Sequence, residues 1–330
     1  MSNIENDPDE LHCGGVATAA PEPELLRPRE VPLGGPRAML VGRTLPNRDR
    51  RMVGAWCFAD FYGPADITGQ AGMQVPPHPH TGLQTVSWLL DGQVLHRDSL
   101  GNTQLVEPGE LNLMTAGRGI SHSEESPADH SAILHGVQLW VALPAGQRDV
   151  APHFEHHGAL PVATTPEGAA TVLMGSLLGA TSSAKTYTPL VGAELSINAG
   201  AAMRIPVEPG FEHAVLALSD ITVNGQQVST GEMLYAGTGC DEVTIGSAGA
   251  GRAMLLGGAP FEEEIVMWWN FVGRSHDEVA QVRAEWERGR ESSDEQGRFG
   301  VVRGYDAPAL AAPALPNAAL RPRGRVRDRH

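Results

Sequence analysis

The chain has 330 residues, a formal net charge of −15, 39 glycines, 25 prolines and few aromatic side chains. That length exceeds what one hydrophobic core usually serves, so two domains are expected. The acidic balance excludes direct nucleic-acid binding as a general role, because phosphate recognition needs a basic surface, and no run approaches the roughly 18 apolar residues of a membrane span.

Residues 1–35 are acidic and then proline-rich, and read as an N-terminal tail. The opening "MSNIENDPDELH" has no apolar core, so it is not read as a signal peptide, and a cytoplasmic location is expected. Cys13, Cys57 and Cys240 are too few and too scattered for a disulfide framework or a sulfur-rich metal site, which fits a reducing compartment. Over 36–145, short β-like runs alternate with turns such as Asp91-Gly92, Gly101-Asn102 and Pro108-Gly109, the grammar of a sandwich or barrel.

Residues 146–168 are polar and turn-rich and are taken as a connection. A second β-rich region, 169–290, echoes the first: "TGLQTVSWLLDG" has a counterpart in "PGFEHAVLALSD", and "VEPGELNLMTAG" in "VSTGEMLYAG". Two copies of one barrel are expected. A single helix is predicted over about 276–289, opened by Ser275 and Glu278 as a capping box, with Val279, Val282 and Trp286 on one face. Residues 291–330 read as an extended tail, and the five arginines between Arg321 and Arg329 as solvated.

The chemistry concentrates in "VPPHPHTGLQTVSWLLDG". Residues two apart on a strand share a face, so His78 and His80 project together, and Pro79 places them at a strand start or edge. Unbroken alternation would put Gln84, Val86 and Trp88 on that same side. Two imidazoles are half a metal site. The other half is expected from "MTAGRGISHSEES", where His122 and Glu124 repeat the two-residue spacing after a tight turn. Three neutral nitrogens and one carboxylate suit a single first-row divalent ion: iron, manganese, nickel, cobalt or zinc. His96 and His135 read as packed or hydrogen-bonded, and His153, His156 and His157 as a solvated loop cluster. Counting across from matched glycines, Pro206, Glu208, Glu242 and Thr244 stand where the second copy would carry ligands. That copy therefore reads as degenerate.

"HPHTGLQTV", "DGQVLHRDSLGN", "PGEL" and "MTAGRGISHSE" together resemble the pirin family of the cupin superfamily. The resemblance implies an all-β fold of two jelly-roll barrels face to face, with a short C-terminal helix. It also implies one metal, usually Fe(II), in the first barrel, held by His78, His80, His122 and Glu124. Gln84 stands where the broader cupin pattern has a glutamate, and an amide cannot titrate. Gln84 and Trp88 are expected beside the metal, in the pocket. Some pirins resemble quercetinases, which implies a dioxygenase opening a flavonol-like enolic substrate with O2, with Glu124 as acid/base as well as ligand. Others are redox-responsive regulators, so the alternative is an iron-binding protein that modulates a protein partner, either a transcription factor or a metabolic enzyme.

Overall fold

Short β-branched and aromatic runs bounded by glycine turns become strands, and the strands build two sandwiches of one plan. This is seen in a computed structural model that describes residues 11–12, 23–33, 39–291 and 295–326. In the first barrel a seven-stranded sheet runs in the order His153–His157, Leu111–Thr115, Leu83–Asp91, Ile133–Ala142, Trp56–Asp66, Met39–Leu45, Arg29–Leu33. The four-stranded sheet of that barrel has the order Gln74–His80, Ile120–Glu125, Val94–Asp98, Thr103–Val106. The second barrel repeats the arrangement. Its larger sheet runs Val162–Thr165, Gly168–Met174, Leu190–Ile197, Gly251–Gly258, Glu212–Ala217, Met233–Gly237, Glu24–Leu26. Its smaller sheet runs Ala202–Pro206, Glu242–Gly246, Ile221–Val223, Gln226–Val228. The fold is all-β and of the two-domain cupin type.

The ends of both large sheets come from stretches that read as tail or connection. Glu24–Leu26 pairs with Met233–Gly237 of the second barrel, and Arg29–Leu33 pairs with Met39–Leu45 of the first. In the connection, His153–His157 closes onto Leu111–Thr115, while Val162–Thr165 pairs with Gly168–Met174. These edge strands are short, as sheet edges tend to be, so they carry too few residues to display the alternation that marks a central strand.

The large sheets pack against each other through their apolar outer faces, where Val86, Leu113, Val137 and Leu139 meet Leu173, Leu216, Met254 and Leu256. Two indoles pin this face. The Trp56 Nε1–H is shared between the carbonyls of Val191 (3.2 Å) and Gly257 (3.1 Å), and Trp88 Nε1–H donates to Glu194 Oε2 at 2.8 Å. A buried indole needs such a partner. Gly192 lets Trp56 lie this close, since a Cβ there would stand 2.8 Å from the ring.

The helix spans His276–Gly289 and buries Val279, Val282 and Trp286, the predicted face. Ser275 Oγ accepts from Glu278 N at 3.2 Å, while Glu278 reaches back to Arg274 N at 2.8 Å. Phe299, Ala312 and Leu320 join the helix in a cluster with Trp268, Trp269 and Phe271, so this part of the tail packs on the body. The solvated reading of the arginine run is corrected at Arg325. It is buried against Glu262 (2.9 Å) and Glu212 (3.3 Å), because a buried carboxylate demands a cation. Arg327 and Arg329 lie outside the described residues. Among the described residues no helix is long and apolar enough to cross a membrane.

Candidate metal centre

Gln74–His80 carries Pro76, Pro77 and Pro79 and lies at the edge of its four-stranded sheet, the place where missing ladder donors cost least. Its neighbour Ile120–Glu125 sets His122 opposite His78, with a register shift before Glu124. All four side chains are buried. His78, His80 and His122 offer ring nitrogens that lie within 4.8 Å of one another. Glu124 joins His122 in a second trio completed by His96, with the same mutual limit of 4.8 Å.

Three observations fit a cation here. His80 Nε2 and His122 Nε2 stand 3.1 Å apart, and two nitrogens bound about 2.1 Å from one ion at right angles would be separated by about 3.0 Å. His78 Nδ1 is engaged by the Pro76 carbonyl at 2.8 Å, whereas its Nε2 is buried without a hydrogen-bond partner among the described residues. Burial also keeps the rings neutral, holding His78 down to about 3 and His80 and His122 well below the usual histidine range. Neutral imidazoles with free lone pairs are what a divalent ion requires.

The large sheet opposite presents two rows of side chains to the site. One is aromatic and apolar but for Thr85: Phe154, Met114, Thr85, Trp140 and Phe58 follow one another across the strands. Trp140 meets His80 edge-on at 5.1 Å and stacks on Phe58 at 3.9 Å, while Phe154 stacks on His96 at 4.5 Å. The next row is polar throughout: His156, Asn112, Ser87, Gln138, Asp60 and Arg43. Within it Arg43 grips Asp60 in a fork of 2.7 and 2.8 Å. The Ser87 hydroxyl lies 3.2 Å from Glu124 Oε1 and 2.9 Å from Gln138 Oε1. Asn112 Nδ2 and Gln138 Nε2 are buried and find no partner among the described residues. Leaving such donors unpaired costs about 1–3 kcal/mol each, so a row that keeps two of them suits a bound molecule.

Gln84 and Trp88 do not share the histidines' face. At Thr81–Gly82 the chain leaves the small sheet for the large one, Gly82 adopting φ +71°, and the alternation starts again with the opposite sense. Thr85 and Ser87 face the site. Gln84 instead donates to the Lys185 carbonyl at 3.0 Å and Trp88 to Glu194, both in the second barrel. The matched positions in the second copy also shift. Pro206, Glu208 and Glu242 are exposed; the inward residues are Met203, Ile205, Val243 and Ile245, paired Met203↔Ile245 and Ile205↔Val243. Hydrocarbon fills the space the first barrel gives to its histidines. The cluster read as a loop is the edge strand His153–His157, half-buried, with His156 Nδ1 2.8 Å from Asn112 Oδ1.

Sequence reasoning missed Ser87, Asn112 and Gln138, and gave His96 no role at the site. The alternation of "VLHRD", with His96 and Asp98 on one face, is a signal that could have found the histidine. The polar row leaves none, since it exists only in the register of six strands.

Two jelly-roll barrels, one enclosing a buried histidine cluster and the other packed with hydrocarbon, define a two-domain cupin. The chain belongs to the pirin family: residues 38–141 match Pirin, and residues 192–292 match the Pirin C-terminal cupin domain. It is 44% identical over 289 residues to a Pseudomonas aeruginosa protein named "Putative quercetin 2,3-dioxygenase PA1205", covering 87% of this chain and 89% of that protein. Human Pirin is 30% identical over 217 residues, 63% of this chain and 74% of its own length. The crystal structure of quercetin 2,3-dioxygenase from Acinetobacter baumannii superposes with a TM-score of 0.85 at 39% identity, covering 91% of this chain and 98% of that one.

Proposed function

We propose that the chain is a metal-dependent dioxygenase that opens a flavonol-like enolic substrate with O2. The observation that carries this reading is the buried His78–His80–His122 cluster with Glu124 beside it, in a chain closely similar to proteins named for that activity. These four side chains would hold one divalent ion, Fe(II) being the favoured occupant. When bound, the ion supplies Lewis acidity that makes a substrate hydroxyl easier to ionise.

The rest falls to the chain itself. Glu124 accepts the hydroxyl proton, its carboxylate steadied by Ser87. Trp140 and Phe58 form an apolar wall that keeps water from the electron-rich substrate. Asn112 and Gln138 donate their unpaired amide hydrogens to acceptor oxygens on the substrate and fix its orientation. Iron-loaded protein mixed with quercetin in air should consume oxygen and release carbon monoxide, and His78→Ala should do neither. Oxygen uptake by His78→Ala at the rate of the unaltered protein would refute the assignment.

A further inference from the structure

We infer that His96 is a positioning residue that sets which nitrogen of His122 faces the other two imidazoles. The inference rests on the same site as the proposed function and concerns the proton on His122. His122 Nε2 faces His80 Nε2 at 3.1 Å, and its other nitrogen, Nδ1, stands 3.3 Å from His96 Nδ1. A nitrogen that is to bind a cation must offer a lone pair, so the His122 proton belongs on Nδ1, where it is donated to His96. His96 must then accept at Nδ1 and carry its own proton on Nε2. That atom lies 3.3 Å from Asp98 Oδ2.

The chain therefore has one consistent direction. Asp98 accepts from His96, His96 accepts from His122, and His122 Nε2 is left bare. Asp98 cannot turn away, because Leu100 N (2.9 Å), Asn102 N (3.1 Å) and Asn102 Nδ2 (2.8 and 3.0 Å) all donate to its carboxylate. The His96 ring cannot tilt, because Phe154 stacks on it with planes 13° apart. Phe154 comes from the His153–His157 edge strand, so a segment outside the two small-sheet ligand strands fixes the ring that fixes the ligand.

The test separates the proton from the metal. Long-range 1H–15N spectra of the metal-free protein should show His122 protonated at Nδ1. His96→Phe keeps the stacked ring but removes the acceptor, and should move that proton to Nε2. His96→Asn sets an amide oxygen near the place of Nδ1 and should restore the original form. Chelator competition with Co(II) as the probe should then show His96→Phe binding 10- to 100-fold more weakly, with His96→Asn recovering most of the loss. The melting temperatures of the metal-free proteins should agree. Retention of the Nδ1 proton in His96→Phe would overturn the inference, as would an equal weakening of Co(II) binding in both variants. The spectra read the tautomer with no metal present. An unaltered protein that binds no Co(II) would therefore defeat the proposed function and leave the relay standing.

Discussion

His78, His80 and His122 owe their readiness for a cation to burial, and that carries a cost in acid. Burial holds His78 down to about 3 against an ordinary value of 6.5, so the unfolded chain takes up the proton first. Stability is unaffected above pH 6.5, falls as the pH drops from there, and levels off near pH 3. Between pH 6.5 and 5 this one residue removes about 2 kcal/mol, and His80 and His122 act in the same direction. Urea unfolding of the metal-free protein should show a clearly lower midpoint at pH 5 than at pH 7.5, and His78→Gln should show a shallower decline; equal declines would count against the assignment. The four residues nearest this chemistry were legible from the sequence because two-residue spacing survives into any strand. His96 was harder, because its role depends on lying beside His122 across a strand pair, with Val94–Asp98 aligned to Ile120–Glu125.

At the scale of elements, the corner at Thr81–Gly82 decides what the site looks out upon. It joins the ligand strand Gln74–His80 to the wall strand Leu83–Asp91, and reverses which residues point inward. A reader of the sequence sees continuous alternation from His78 to Trp88 and so assigns Gln84 and Trp88 to the pocket. The reversal is a backbone event that only Gly82 betrays. A Cβ on Gly82 would stand 2.1 Å from the Val272 carbonyl oxygen, and the positive φ adds strain for any other residue. Gly82→Ala should therefore lower unfolding stability by about 1–3 kcal/mol, measured by urea titration, and should weaken metal binding more than a substitution at exposed Gly101. Unchanged stability would mean that the corner relaxes without moving the ligand strand. The duplication was legible at this scale too, but the positions matched through the glycines have outward parity on their strands, where Met203, Ile205, Val243 and Ile245 are the buried ones.

At the scale of the molecule, one buried carboxylate holds four distant parts of the chain together. Glu212, in the second barrel, accepts from Gly54 N (2.7 Å) and from the Tyr235 hydroxyl (2.9 Å). It faces Arg50 of the first barrel at 3.8 Å and Arg325 of the tail at 3.3 Å. Arg50 in turn stacks over Tyr235 and binds Glu24 of the N-terminal edge strand at 2.8 Å. Glu212→Ala leaves Arg50 to Glu24 and Arg325 to Glu262 but strands the Gly54 N–H and the Tyr235 hydroxyl, and should cost about 1–3 kcal/mol; chemical denaturation would show it, and no change would mean that water enters the gap. No periodicity in the sequence announces such a network, because its members are separated by up to 301 positions, from Glu24 to Arg325.

The origin of the border strands bears on the handling of this chain. Here the second barrel takes its last strand from Glu24–Leu26, ahead of the first barrel, and the first takes His153–His157 from beyond its own end. Cutting the connection ahead of His153 would strip each product of a border, and cutting it beyond His157 would still take Glu24–Leu26 from the second barrel, leaving raw backbone that invites aggregation. The dependence runs one way: the second barrel cannot complete its large sheet without Glu24–Leu26, whereas every strand of the first lies within residues 29–157.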